Sequence, residues 1–248
     1  MRCSLAALAC LSLSTSAFAV TGDAPPAADW AARAIVMIVD TKGDLCTGTA
    51  LARDFVLTAA HCVARPLRYE VKASLANKPI GVRAIARHPD FDLASYAASR
   101  ATADVALIKL AAPLPDGVVP AKVAPARRVL PGEQLIIAGF GSVADRTPRG
   151  LGVARMAKLA VTGKPGSLQI RLYDPATRDT RAGLGACVGD SGGPAFDGDK
   201  PEVIGIISWT TAPHDEDGCG GLTGLTPLVA YRAWIVETAA KLNSQVGP

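Results

Sequence analysis

Short apolar runs separated by turn residues fill most of this 248-residue chain, and they restrict its fold more than any other feature. The runs are rich in Val and Ile and bounded by Gly, Pro or Asp, a pattern typical of β-strands. The predicted strands are 34–39, 46–51, 55–58, 69–74, 80–87 and 105–110, then 134–139, 153–161, 168–172, 203–209 and 222–225. Residues 111–117 contain two prolines and are predicted to link the two sets. The chain is therefore expected to form an all-β barrel or sandwich.

The two ends of the chain follow other patterns. Residues 20–33 are rich in Pro and Ala, lack periodicity and are predicted to form an extended arm. Near the C-terminus, apolar residues recur at helical spacing, which predicts one amphipathic helix over about 228–243. Its stripe is expected to pack on the body of the protein and comprises Leu228, Tyr231, Ile235, Thr238 and Leu242, with Trp234 beside them.

Composition and charge narrow the possible classes of function. A hydrophobic fraction of 49% and a charged fraction of 19% suit one globular domain, or two small halves that share a core. The net charge is +4, and the longest basic run is Arg127-Arg128, so we do not expect a nucleic-acid partner. Nothing in the sequence suggests a metal or organic cofactor.

Residues 1–19 have the pattern of a secretory signal peptide. Arg2 is followed by an apolar region over 5–13, and Ala17-Phe18-Ala19 fits the small-x-small cleavage pattern. The apolar region is too short to span a bilayer, and no later run is long enough. We therefore expect a secreted or periplasmic protein, not membrane-bound, whose mature chain begins at Val20.

Cysteine usage agrees with export. Removal of residues 1–19 leaves Cys46, Cys62, Cys187 and Cys219. An even number in an exported chain indicates two disulfides, although the sequence alone leaves three pairings open. A zinc site is disfavoured, because there is neither a CxxC pair nor a His-x-x-x-His spacing.

The stretch Cys187-Val188-Gly189-Asp190-Ser191-Gly192-Gly193-Pro194 carries the strongest chemical signal. Glycines allow a tight turn that exposes the serine hydroxyl and turns neighbouring N–H groups toward one spot, where they can stabilise an oxyanion. A serine nucleophile needs a base and an acid that orients the base. The candidates are His61, in Thr58-Ala59-Ala60-His61-Cys62, and Asp104, which leads into an apolar strand.

These three motifs together resemble the trypsin/chymotrypsin-like serine peptidases, in which histidine, aspartate and serine follow in this order. The resemblance extends from about Val20 to the C-terminal helix. It implies two six-stranded antiparallel barrels, over about 34–115 and 120–228, with the active site between them. It also implies pairing of Cys46 with Cys62 and of Cys187 with Cys219.

The resemblance assigns roles to the residues of the motifs. Ser191, His61 and Asp104 would form the catalytic triad, and the N–H groups of Gly189 and Ser191 would form the oxyanion hole. Asp190 would pair with the α-ammonium group of the mature chain, and a side-chain partner is the alternative. Since the predicted signal cleavage leaves Val20-Thr21-Gly22, we hypothesise that signal cleavage itself creates this partner, without a separate propeptide.

The resemblance also locates a pocket for the residue before the scissile bond. Gly185 would form the floor of this pocket, followed by Ala186. Neither residue is charged, so the pocket would not select Arg or Lys. Ser208-Trp209-Thr210 would align the substrate, and Thr210 should narrow the entrance. The opposite wall is either Thr223 or Gly224. A preference for small or medium apolar residues is expected, and the acidic run 215–217 is interpreted as a solvated loop that could add negative charge at the rim.

Two other functions compete with a serine endopeptidase. The same scaffold can serve as a non-catalytic binding protein, although all three triad residues are present here. The spacing Gly189-x-Ser191-x-Gly193 also fits an esterase elbow, but that fold needs an acid and a histidine after the serine, and only His214 follows. The expected partners are a peptide or protein substrate and a protein inhibitor.

Overall fold

The first half of the chain closes into a six-stranded antiparallel barrel in the order β1-β2-β3-β6-β5-β4. The computed structural model describes residues 20–74, 78–144 and 150–246, so the predicted signal peptide lies outside the described residues. The strands are β1 (Ile35–Asp40), β2 (Leu45–Ala52), β3 (Phe55–Thr58), β4 (Tyr69–Ala73), β5 (Ile80–Arg87) and β6 (Ala106–Leu110). Val36 and Ile38 pack into the barrel interior, because alternate residues of a strand face the same side.

The second half forms another closed ring of six antiparallel strands. Its order is β11-β8-β9-β10-β13-β12, and pairing of β11 with β12 closes the ring. These strands are β8 (Gln134–Gly139), β9 (Arg155–Thr162), β10 (Ile170–Tyr173), β11 (Pro194–Phe196), β12 (Glu202–Thr210) and β13 (Thr223–Pro227). A two-residue strand, β7 (Lys122–Val123), lies parallel to β12 outside the ring. The fold expected from the sequence is confirmed.

A hydrophobic seam joins the two barrels. We define it by six buried side chains that belong to one cluster: Phe55, Leu57, Leu107, Phe140, Phe196 and Ile206. All residues of β3 and β6 are buried, because one face of these strands fills the first barrel and the other face meets the second. Burial of a side chain of this size contributes about 1.5–3 kcal/mol, so the seam holds the barrels in a defined arrangement.

Three short helices complete the structure of the described residues. They are α1 (Asp29–Ala32), α2 (Leu93–Ala97) and α3 (Arg232–Lys241). The predicted apolar stripe packs on the seam cluster, with Tyr231 and Ile235 buried. The predicted helix over 228–243 is shorter than expected, because Leu228–Ala230 forms a separate 3₁₀ turn before α3.

Several elements differ from the sequence-based expectations. The N-terminal arm contains α1 and is therefore not wholly extended. The strands β7 and β11 were not predicted, since runs of two and three residues give no periodic signal. The helix α2 was also missed, because none of its residues is buried and it has no apolar stripe. Within the described residues, no helix is both long enough and apolar enough to cross a membrane.

Candidate active site

His61 lies at the end of the first barrel that faces the second. Strand β3 ends at Thr58, two fully buried alanines follow, and His61 begins a 3₁₀ turn. Its neighbour Cys62 is disulfide-bonded to Cys46 of strand β2, as the resemblance implied. The turn is therefore attached on both sides, by the strand before it and by the disulfide after it.

Asp104 holds the His61 ring in place. The carboxylate is 1% exposed and lies two residues before β6, which pairs with β3. Its Oδ1 accepts the His61 main-chain N–H at 2.9 Å, and its Oδ2 lies 2.7 Å from His61 Nδ1. The Ser208 hydroxyl also donates to Oδ2, at 2.6 Å. A buried carboxylate needs such donors, and this arrangement keeps the proton on Nδ1 and leaves Nε2 available as a base.

Ser191 is brought to the same place from the second barrel. It lies in the turn between Cys187 and strand β11, and the Thr47 N–H donates to its carbonyl at 2.8 Å. The Cys62 Sγ lies 3.6 Å from the same carbonyl oxygen, so Ser191 is adjacent to the residue that follows His61. Within the described residues, no hydrogen bond joins the Ser191 hydroxyl to the imidazole. Catalytic hydrogen bonds are often long in free enzymes and shorten when substrate binds.

The glycines beside Ser191 are required by close contacts. Gly192 has a φ of +80°, and a Cβ there would lie 2.1 Å from the Thr58 hydroxyl. Gly189 has a φ of +97°, and its carbonyl accepts the Thr47 hydroxyl at 2.8 Å. Among the described residues, neither the Gly189 N–H nor the Ser191 N–H donates to a protein atom. Both groups are therefore available to bind an oxyanion.

Asp190 points away from the catalytic residues into the second barrel. Its side chain is fully buried and accepts the N–H groups of Gly141 at 2.8 Å and Cys187 at 2.9 Å. Burial raises the pKa of this carboxyl to about 7, although both hydrogen bonds act to lower it. In the part of the chain that the structure describes, no cationic side chain pairs with Asp190, so the alternative of a side-chain partner has no support there.

Val20 is also buried in the second barrel. It is fully inaccessible and belongs to the same hydrophobic cluster as Ala186. The next residue, Thr21, donates its N–H to the Gly185 carbonyl at 3.0 Å. The first described residues therefore run along the segment that leads into the serine turn.

Two threonines, Thr210 and Thr223, lie beside the segment that precedes the serine turn. Thr223 is fully buried, pairs with Thr210 and accepts the Ala186 N–H at 3.0 Å. Gly224 is covered by the indole of Trp209, since a Cβ there would lie 1.9 Å from a ring atom. The Thr210 hydroxyl donates to the Ala186 carbonyl at 2.8 Å and so connects β12 to the segment that precedes the serine turn.

A cavity of about 430 Å³ lies along β12. Ser208, Trp209 and Thr210 form one side. The Arg171 guanidinium lies 5.7 Å from the centre of the Trp209 ring, a cation–π contact. Asp215 and Asp217 reach this cavity, so part of the acidic run borders the cleft and adds negative charge to its rim.

Comparison with known proteins identifies the family. The family model described as Trypsin matches residues 19–235. The chain belongs to the trypsin family. Human chymotrypsin-like elastase family member 3A is 31% identical over 220 residues, which cover 79% of this chain and 78% of that protein. Human kallikrein-15 is 30% identical over 216 residues, which cover 78% of this chain and 80% of that protein. This trypsin-family member is a serine-type endopeptidase, and proteases of this kind act on peptide or protein substrates.

Solved structures agree on the fold. Mouse neuropsin superimposes with a TM-score of 0.69 and 21% identity, over 87% of this chain and 98% of that chain. Human heparin binding protein gives a TM-score of 0.69 and 20% identity, over 92% of this chain and 99% of that chain. The all-β two-barrel fold leaves no place for the strand–helix alternation of the esterase alternative.

The remaining histidines of this trypsin-family protease lie outside the site. His88 contacts the rings of Tyr231 and Trp234 edge-on, and burial lowers its pKa. His214 is exposed. Ligand atoms of Cys46, His61 and Cys62 lie within 4.8 Å of one another, but the two thiols form a disulfide and cannot bind zinc. The second disulfide joins Cys187 to Cys219, as the resemblance implied.

Sequence reasoning missed two residues that contact the catalytic groups. The Thr47 hydroxyl and N–H position the serine turn from the first barrel. Tyr96 stacks on the His61 ring, with the ring centroids 4.4 Å apart. Neither residue belongs to a motif, and no local pattern distinguishes them from other loop and strand residues.

Proposed function

We propose that this protein is an exported endopeptidase that cleaves peptide bonds through a Ser191-His61-Asp104 triad and an acyl-enzyme. The observation that carries this proposal is the hydrogen bonding of Asp104, which fixes the tautomer and the orientation of the imidazole. Because the imidazole is already oriented, it can take the Ser191 proton without first losing rotational freedom.

The chemistry follows from these positions. Ser191 attacks the scissile carbonyl while His61 Nε2 takes the hydroxyl proton, and the N–H groups of Gly189 and Ser191 stabilise the resulting oxyanion. His61 then delivers the proton to the leaving amine. Water, deprotonated by the same imidazole, hydrolyses the acyl-enzyme and regenerates the hydroxyl. Loss of one oxyanion donor typically costs about 3–4 kcal/mol of barrier.

Labelling with a fluorophosphonate probe tests catalysis against the non-catalytic alternative. The probe modifies an activated serine, so wild-type protein should react and Ser191→Ala should not. Asp104→Asn should lower kcat by about 10⁴-fold, because an amide favours the wrong imidazole tautomer. Asp90→Asn is the matched control, since Asp90 is exposed beside His88 and should leave kcat unchanged. Absence of labelling in folded wild-type protein would contradict the proposal.

We infer a preference for small or medium apolar residues before the scissile bond. The support is a floor without charge at Gly185 and Ala186, with Thr210 and Thr223 across the pocket. The match to a protein named as an elastase points the same way. A cleavage profile on denatured protein should be dominated by Ala, Val or similar residues, and a profile dominated by Arg or Lys would overturn this preference.

Activation by signal cleavage is the third part of the proposal. Cleavage after Ala19 would leave an ammonium group on Val20, which would pair with the Asp190 carboxylate. The support is the burial of Val20 and the raised pKa of Asp190. Sequencing of the exported protein should give Val20 as its first residue, and a mature start well beyond Val20 would contradict this part. A protein inhibitor of the same cleft is an expected partner.

A further inference from the structure

Tyr96 covers the imidazole of His61 from helix α2, in the segment that precedes Asp104. The ring planes differ by 10°, so the two rings are stacked face to face. The Tyr96 hydroxyl donates to the main-chain carbonyl of Ser208, with 3.2 Å between the oxygens. One side chain therefore contacts both the proposed base and the strand that would align the substrate.

The carbonyl of Ser208 belongs to a position that the neighbouring strand skips. Strand β13 pairs with Ile207 and with Trp209, and the register shifts between them. Main-chain groups at such an irregularity are available to another partner. An extended peptide that adds to this edge would use its own N–H to reach the same carbonyl. In this structure, the Tyr96 hydroxyl donates to that carbonyl instead.

Helix α2, which carries Tyr96, is held mainly at its N-terminal end. Asp92 caps α2 by accepting the Ala94 N–H, and its own N–H donates to Thr102. None of the five residues of α2 is buried, and Leu93 is 50% exposed. An element with few buried contacts can move at a low cost in free energy. Tyr96 can therefore leave the carbonyl without unfolding the barrel.

The chemical state of Tyr96 suits this contact. Partial burial and the nearby charge of Asp104 raise the pKa of Tyr96, so the phenol stays protonated at neutral pH. A protonated hydroxyl donates one hydrogen bond, as a peptide N–H does.

We propose that Tyr96 is a self-blocking residue of the substrate cleft, whose hydroxyl must leave the Ser208 carbonyl before a peptide can pair with β12. This inference rests on the proposed proteolysis. A contact that is broken only when substrate binds weakens binding without affecting the chemical step, so it raises KM and leaves kcat unchanged.

Kinetics of Tyr96→Phe test the proposal, since this change removes the hydroxyl and keeps the stacked ring. We expect kcat/KM for peptide substrates to rise about threefold to tenfold, the equivalent of one neutral hydrogen bond. The rise should come from a lower KM, with kcat unchanged. The matched control is Tyr69→Phe. Tyr69 donates to the Arg65 carbonyl at 2.9 Å on the first barrel, so this variant loses the same kind of bond away from the cleft and should keep wild-type kinetics.

A substrate without a peptide N–H separates this inference from the proposed function. Hydrolysis of 4-nitrophenyl acetate needs Ser191 and His61 but no pairing with β12, so Tyr96→Phe should leave its rate unchanged. If wild-type protein is no faster than Ser191→Ala on this ester and does not label with fluorophosphonate, the proposed function fails. If wild-type protein passes both tests and Tyr96→Phe lowers kcat or leaves the peptide KM unchanged, Tyr96 only positions His61 and the self-blocking role is wrong.

Discussion

At the scale of the residue, Thr210 combines two effects at the substrate pocket. Its hydroxyl donates to the Ala186 carbonyl at 2.8 Å, and its methyl group is proposed to narrow the entrance. Thr223, which pairs with Thr210 from β13 and accepts the Ala186 N–H, would narrow the proposed pocket from the opposite side. Substrate selection is therefore expected to depend on these β-branched side chains, because the pocket floor has no charge.

Thr210→Gly should widen the pocket. We expect the rate for a substrate with Phe before the scissile bond to rise about tenfold relative to one with Ala, since a few methylene groups in a pocket change discrimination by this order. Thr210→Ser keeps the hydroxyl and removes only the methyl group, so a smaller change is expected. The measurement is kcat/KM on a matched pair of peptides. An unchanged ratio in both variants would show that Thr210 does not limit the pocket.

The proposed catalytic residues could be named from the sequence for a local reason. Ser191, His61 and Asp104 each lie in a short motif, because the turn, the strand end and the strand start around them must have particular neighbours. Tyr96 could not be identified in this way. Its contact with Ser208 joins positions 112 residues apart in the chain, and it depends on the path of an exposed loop.

At the scale of the element, the N-terminal segment and the serine turn are coupled. Val20 and Thr21 pack along the segment that leads to Cys187, whose N–H donates to Asp190. The chain start is thus linked to the turn through buried contacts. A change at residue 19 or 20 is therefore expected to affect the turn that carries the proposed nucleophile.

The pH dependence of stability should reveal whether Val20 supplies a charge to Asp190. In the unfolded chain this carboxyl loses its proton near its ordinary pKa of 3.8, whereas burial holds the folded pKa at about 7. The folded state then binds the proton more tightly, so its free energy of unfolding should fall as pH rises from 3.8 to about 7 and level off above. An ammonium partner would lower the folded pKa and reduce this decline.

Two forms of the protein provide the comparison. A chain that begins at Val20 should show little decline in stability over this pH range and should label fully with fluorophosphonate. A chain that begins at Ala19 should show the decline and label less. Asp190→Asn should remove the decline from the longer form, because no carboxyl remains to titrate. Identical urea denaturation curves for the two forms across the pH range would contradict the pairing.

The strands themselves were largely predictable, and the exceptions have physical causes. β3, β5 and β8 have the predicted bounds, and Asp54, Pro79 and Glu133 directly precede them and mark where each strand begins. β11 begins at Pro194 directly after the glycine-rich turn and is held by its neighbours β8 and β12. Its formation depends on tertiary pairing, which no local pattern reports.

At the scale of the whole molecule, the C-terminal segment is fastened to the first barrel by a buried charge. The Lys109 ammonium bonds to the Asp54 carboxylate, to the Ser244 hydroxyl at 2.6 Å and to the Asn243 carbonyl at 3.0 Å. Burial acts to raise the pKa of Asp54, but the hydrogen bonds from Lys109 and Ser244 outweigh it and lower the pKa below its usual value. The chain after α3 is thereby held on the barrel that carries His61.

Lys109→Ala should destabilise the protein without affecting catalysis. Loss of the ammonium leaves Asp54 and Ser244 without their common donor, and we expect a cost of about 2–3 kcal/mol in the free energy of unfolding. Lys109 pairs with Phe55, at the end of β3 remote from His61, so kcat of the folded enzyme should be unchanged. Lys200→Ala, at an exposed pair with Glu202, is the control and should change stability little. Equal urea midpoints for both variants would contradict this account.

The seam also determines what a fragment of this protein can do. The imidazole and its orienting carboxylate come from one barrel, whereas the Ser191 hydroxyl and both proposed oxyanion donors come from the other. Neither half holds a complete proton relay, so hydrolysis should begin only after the halves have docked during folding. A nascent chain would therefore not cleave neighbouring proteins before its two barrels have packed together.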